Sequence, residues 1–229
     1  MIKIVTMNAK ALVTTFPVSG AIRCSSIRTV MWTNKPQRCY ENSMYNPQIS
    51  CSTILSMPGS VFLEGDTVSL RVVNPTAEAY AKLIQDSINE PETRRAMGLT
   101  DPYSEYREGQ FLEDMDDRDD HILFFISTDS EEAPVGNVEL FDIDRTHGRA
   151  EIGCWVYEPH RERGYATATC RLLLQYAFDE LRLHRIDAVA YHQNAASRAL
   201  IESLGFKHEG VRRDAAYIDG EYADVHEYG

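Results

Sequence analysis

The run Glu158-Pro-His-Arg-Glu-Arg-Gly-Tyr-Ala-Thr167 places Arg161 and Arg163 around a small-residue pattern, Arg161-x-x-Gly164-x-Ala166. It lies between a strand-like segment and a long amphipathic one. Gly and Ala at those positions let the backbone turn tightly into a helix, leaving the first N–H groups of that helix without acceptors and aimed at one spot. Those amides, the positive end of the helix dipole and two guanidinium groups make a seat for phosphate. Locally, the same residues also describe a helix start with solvated arginines. A second stretch, Asn194-x-x-Ser197, opens a later helix and is followed by Glu202-x-Leu204-Gly205-Phe206 and Glu209-Gly210. Asn and Ser at i and i+3 fit chemistry at a helix start, and they fit simple capping equally well. The five cysteines, Cys24, Cys39, Cys51, Cys154 and Cys170, form no C-x-x-C, and the seven histidines form no H-x-x-x-H. No metal is expected, and the thiols read as reduced in a cytosol.

These stretches need elements to hold them. Val68–Val73 alternates apolar and polar residues and reads as a strand, stopped by Asn74-Pro75. Residues 76–89 carry Ala77, Tyr80, Ala81, Ile84 and Ile88 at helical spacing, and a shorter helix is expected over Tyr103–Met115. Ile122–Ser127, Val135–Asp142 and Arg149–Tyr157 read as strands joined by short turns, hence as antiparallel neighbours. Tyr165–Leu183 is a long helix with one apolar stripe, Arg185–Tyr191 a strand, and Ala195–Leu204 a helix closed by Gly205. A final hairpin turns at Asp219-Gly220. The order predicts an α+β fold, helices flanking a sheet, and not a regular βαβ repeat.

The 229 residues are 43% hydrophobic and 25% charged, which fits one domain with an appendage. No apolar window reaches membrane-spanning length and no secretory signal is recognisable, so a cytoplasmic protein without a membrane partner is expected. Of 23 basic and 35 acidic residues, six and one lie in residues 1–56, which leaves 17 and 34 for the rest. The net charge of -12 argues against nucleic acid as a partner. Residues 1–56, rich in Ser, Thr, Asn and Pro, read as a poorly ordered leader, and Met57 reads as the native start of the folded domain, residues 57–229. With 15 Arg, two Lys and 34 acids, that domain resembles a surface adapted to high salt. Glu113–Asp120, with six acids in eight residues, reads as a solvated loop. The chain stops at Glu227-Tyr228-Gly229 inside the last expected strand, as a truncated one would.

In combination, the R-x-x-G-x-A loop, the N-x-x-S helix start, Glu202-x-Leu-Gly-Phe206 and the Asp219-Gly-x-Tyr-x-Asp224 hairpin resemble the GNAT superfamily of N-acetyltransferases, in particular its ribosomal-protein N-terminal (RimJ/RimL) branch. The resemblance runs from about Val61 to the C-terminus and implies a mixed, mostly antiparallel V-shaped central sheet flanked by helices, with acetyl-CoA in the cleft. It implies that Arg161, Arg163, Gly164, Tyr165, Ala166 and Thr167 hold the pyrophosphate. The strand through Cys154 and Val156 would offer its backbone to the pantetheine arm, and Asn194 would orient either that arm or Ser197. Many members place a tyrosine acid before L-G-F; here Ile201 stands there, and the branch resemblance transfers the acid role to Ser197. Glu151 and Glu139 are the candidate bases, with Glu151 slightly favoured. A sheet-pairing role accounts for either one as well.

The implied partner is an amine substrate, on a monomer or homodimer. An α-amine of pKa about 7.7 to 8.0 is already roughly 10–20% neutral at pH 7, whereas a lysine amine needs roughly 4.6 kcal/mol of help. The missing tyrosine therefore leans toward a peptide or protein N-terminus. A polyamine, a lysine or an antibiotic amine remains open, as does an acetyl-CoA-binding sensor without activity. No cysteine sits in a nucleophile motif, so direct transfer in a ternary complex is expected.

Overall fold

The computed structural model describes residues 59–73, 78–116 and 118–229; the leader expected over residues 1–56 lies outside them. The described chain runs β1 (Val61–Glu64), β2 (Ser69–Val72), α1 (Glu78–Asn89), α2 (Pro91–Ala96), α3 (Glu105–Asp116), β3 (Ile122–Ser127), β4 (Gly136–Asp144) and β5 (Arg149–Val156). It continues with α4 (Tyr165–Asp179), β6 (Arg185–Tyr191), α5 (Ala195–Ser203), β7 (His208–Ile218) and β8 (Glu221–Tyr228). The central strands and the last two helices follow the alternation and the 3.6-residue stripe of the sequence. Two elements were not anticipated. β1 is a four-residue strand antiparallel to β2. α2 spans six residues, too few to show a period, and is held by Pro91 at its first turn and by Glu90, whose carboxylate accepts from the N–H groups of Glu92 and Thr93.

Among the described residues the sheet has eight strands in the order β1-β2-β3-β4-β5-β6-β8-β7, antiparallel except between β5 and β6. That parallel pair needs a crossover, which α4 supplies. Its register is short: Arg149, Ala150 and Glu151 of β5 face Arg185, Ile186 and Asp187 of β6. From Ala188 to Tyr191, β6 pairs with β8 instead. β5 therefore keeps β4 along one edge while its other edge, from Ile152 to Val156, parts from β6. The sheet opens there like a V.

Period-two alternation divides the two faces. Val138, Leu140, Ile152 and Cys154 pack with Cys170, Leu173 and Ala177 of α4 and with Leu200 and Ile201 of α5. Full burial of each large aliphatic side chain in this layer contributes about 1.5–3 kcal/mol. The opposite face meets α1–α3 through Tyr80, Ile84, Ile88, Met97, Tyr103, Phe125, Trp155 and Tyr157. β4 and β5 approach so closely at Gly136 that a Cβ there would collide with the Trp155 carbonyl. Only glycine fits.

Candidate active site

The phosphate-seat residues lie at the mouth of the V. After Val156 the chain makes a 3-10 turn, Glu158–His160, and enters α4 through Gly164, the N-cap, at φ 81°. A left-handed cap favours glycine. A Cβ at Gly164 would meet nothing within 4 Å, so that side of the backbone is open. The first intrahelical bond is from the Ala168 N–H to the Gly164 carbonyl, leaving the amides of Tyr165, Ala166 and Thr167 as free helix-start donors. The cap contributes no side-chain bond and the first turn of α4 holds no acid. The arginines are engaged otherwise than the motif alone implied. Arg161 donates from Nε to the Val156 carbonyl (3.1 Å) and from Nη2 to Thr93 Oγ1 (3.4 Å), bracing the turn from within. Arg163 is exposed and binds Glu131 (3.1 Å) and the Pro159 carbonyl (3.1 Å).

Across the opening stands the start of α5. Asn194 caps it, its Oδ1 accepting from the Ser197 N–H at 3.1 Å. Capping uses only half of this pair. The Asn194 Nδ2 and the Ser197 Oγ are both buried without a hydrogen-bond partner. Buried polar groups are normally paired. Two buried orphans at the start of α5, with the helix-start amides of α4 free of acceptors, fit a long ligand with a phosphate end and amide groups along its arm. Cys154 and Val156 contribute backbone to that edge, while their side chains are 1% and 5% exposed in the α4 layer. The Cys154 thiol is held well above its ordinary pKa by a hydrogen bond with Cys170 and by burial, which makes it a poor nucleophile.

The other face carries the acids. Glu139 on β4 lines a pocket closed by α1, α3, β3 and β5, and its Oε2 lies 2.7 Å from His121 Nε2. The two side chains are only 15% and 8% exposed, so the pair is largely dry. Glu108 of α3 lines the same pocket. Burial pushes its carboxyl up to about 7; the Tyr103 hydroxyl bonds it and opposes that rise, and the Glu139 charge adds to it. Asn137 Oδ1 and Trp155 Nε1, at the pocket wall, are buried without partners. Glu151 lies two residues beyond Gly153, the residue opposite Glu139, and is the last β5 residue paired with β6. It is half-buried at the vertex of the V and is not among the residues lining the pocket. Sequence reasoning missed Glu108, His121, Asn137 and Trp155. The β3–β4 register, which pairs Ile122 with Leu140, was the available signal for His121 beside Glu139.

Residues 90–99 tie the two wings together over this face. Thr93 receives Arg161 from the β5 side, Arg95 reaches Asp219 of the β7–β8 turn at 3.4 Å, and Gly98 lies against the Tyr191 hydroxyl at the end of β6.

A family model described as an acetyltransferase (GNAT) domain matches residues 69–207. A putative ribosomal N-acetyltransferase, YdaF, of Bacillus subtilis is 40% identical over 90 residues, 39% of this chain, and the match spans 49% of that relative's length. A spermidine N(1)-acetyltransferase of Vibrio cholerae is 30% identical over 125 residues, covering 55% of this chain and 72% of that one. A solved spermidine N-acetyltransferase from Vibrio cholerae, in complex with CoA and spermine, superimposes with a TM-score of 0.65 at 23% identity, covering 72% of this chain and 95% of that one. The splayed sheet, the open helix start at its mouth and the matched family model agree: the chain belongs to the GNAT acetyltransferase family, N-acetyltransferases that take their acetyl group from acetyl-CoA.

Proposed function

We propose that this N-acetyltransferase acts on the free α-amine of a peptide or protein N-terminus, as the RimJ/RimL branch does, by direct transfer. The observation that carries this reading is the largely dry Glu139–His121 pair in the pocket beside β4 and β5. It is joined by two buried polar groups without partners, Asn194 Nδ2 and Ser197 Oγ, at the start of the helix that follows β6. Acetyl-CoA supplies a thioester carbon open to attack by an amine. The loop from Arg161 to Thr167 holds the phosphate end, with Arg161 bracing the turn, and the β5 backbone from Cys154 to Val156 holds the arm. Glu139 takes the amine proton, directly or through one water, and His121 shares the resulting charge. As the amine nitrogen forms the new C–N bond and the C–S bond breaks, the nitrogen loses its second proton; Ser197 gives its proton to the departing sulfur and is reprotonated, through water, by the one the nitrogen releases. Glu139 is preferred to Glu151 because it lines the pocket where an amine would wait.

A second reading, acetylation of a polyamine, is favoured by the spermidine N(1)-acetyltransferase relative at 30% identity. A thiol-release assay in high salt separates the two. Peptides beginning with Ser, Ala or Thr are run beside spermidine and a lysine peptide with a blocked N-terminus. Turnover confined to the unblocked peptides supports the α-amine; turnover of spermidine alone transfers the assignment to the polyamine. The acid-rich composition further leads us to propose a high-salt habitat, which near-ultraviolet CD retained unchanged on dialysis to low salt would overturn.

A further inference from the structure

We propose that Glu108, Asn137 and Trp155 form a head-group subsite that reads the acceptor's first residue, Glu108 and Asn137 Oδ1 taking the ammonium and the Trp155 indole N–H taking the adjoining carbonyl. This rests on the peptide-amine reading above. The three side chains share one pocket and present opposite polarities. Glu108 is 2% exposed and Trp155 5% exposed, and Glu108 already receives the Tyr103 hydroxyl. Asn137 Oδ1 is an acceptor in want of a donor, and the Trp155 N–H is a donor in want of an acceptor. An α-aminoacyl end supplies both within one residue. A polyamine supplies donors only and would leave the indole N–H unpaired.

The pocket offers about 40 Å³ between walls that include Ile84, Ile88 and Phe111. That is room for about three water-sized groups, hence for an ammonium, its carbon and a carbonyl. Glu108 would act before the chemistry. An acceptor arrives mostly as the ammonium ion, pairs with the Glu108 carboxylate, and gives up its proton to the Glu139–His121 pair only once docked.

The test is a cycle between enzyme and acceptor. A Ser-initiated dipeptide amide and its analogue with the first carbonyl replaced by methylene are assayed with wild type, Trp155→Phe and Glu108→Gln at saturating acetyl-CoA. Trp155→Phe is expected to lower kcat/KM about tenfold for the dipeptide amide and to leave the analogue unchanged, consistent with one lost hydrogen bond. Glu108→Gln is expected to raise KM for both acceptors while the acetyl-CoA dissociation constant, by calorimetry, stays fixed. Equal losses on both acceptors with Trp155→Phe, or none, overturn the subsite. Calorimetric binding of the two acceptors to wild type at pH 7 decides the matter should the Trp155 variant fold poorly: equal affinities refute the carbonyl contact. Wild type that turns over spermidine but not the dipeptide amide removes the peptide-amine reading itself, whatever the variants do.

Discussion

Glu108→Gln should change how stability depends on pH, apart from any effect on turnover. In the fold the Glu108 carboxyl titrates at about 7, against an ordinary 4.5, chiefly because it is buried. Burial disfavours the charged form, so the native state holds the proton after the unfolded chain has released it. Stability is therefore undiminished below about pH 4.5, falls as pH rises toward 7, and levels off above. The gap corresponds to about 3 kcal/mol. For a domain of this size that is roughly 6–12 °C in Tm. Gln keeps the shape and a partner for the Tyr103 hydroxyl without ever ionising. Thermal melts of the two proteins should nearly coincide at pH 4.5, with the variant higher by roughly 6–12 °C at pH 8. A constant difference across that range would show that Glu108 does not carry a displaced proton, and the account of the pocket as a dry, apolar surround would fall.

Glu139→Gln should lower kcat by about a hundredfold or more, as loss of a general base does, whereas Glu151→Gln should leave the pH–rate profile in place; steady-state kinetics with a peptide acceptor distinguishes them, and the reverse pattern would make Glu151 the base. Ser197→Ala should lower kcat with little change in KM and at the same time hold or raise Tm by removing an unpaired buried hydroxyl. Gly164→Ala should cost about 1–2 kcal/mol of stability for a left-handed residue and weaken acetyl-CoA binding measured by calorimetry. Cys154 and Cys170, 1% and 0% exposed, should resist alkylation in the native protein, and mass spectrometry should detect no acetyl-enzyme during turnover.

The strands and helices that carry the acetyl-CoA cleft were legible because each advertises its burial locally. α4 repeats Ala166, Cys170, Leu173 and Ala177 along one stripe, and Asp219-Gly220 supplies the two left-handed residues that its hairpin needs. β1 and α2 were not legible, since four and six residues are too few to show a period. The polar side chains of the proposed amine pocket escaped for a different reason. α3 reads Glu-Tyr-Arg-Glu-Gly-Gln-Phe-Leu-Glu-Asp-Met-Asp, and nothing in that acid-rich string separates the buried Glu108 from its exposed neighbours Glu105 and Glu113. Only tertiary packing makes the distinction. His121 and Glu139 lie 18 positions apart and meet because a hairpin folds them together. The arginines of the phosphate loop were read as ligand groups by type, and their fold partners, Thr93 and Glu131, became visible only in three dimensions.

β4 and β5 work for two employers at once. In the middle of these strands Val138, Leu140, Ile152 and Cys154 belong to the tightly packed layer under α4, and Asn137, Glu139, Gly153 and Trp155 line the pocket proposed for the amine. A substitution at Asn137, Glu139 or Trp155 can therefore change which amine is recognised while the neighbouring Val138, Leu140 and Cys154 continue to secure the sheet. Such a strand is a modular surface for inheritance. Acceptor preference can drift among descendants without renegotiating the scaffold that holds the donor, and diversity in this lineage is expected to concentrate on one face of two adjacent strands and on the helices laid across it.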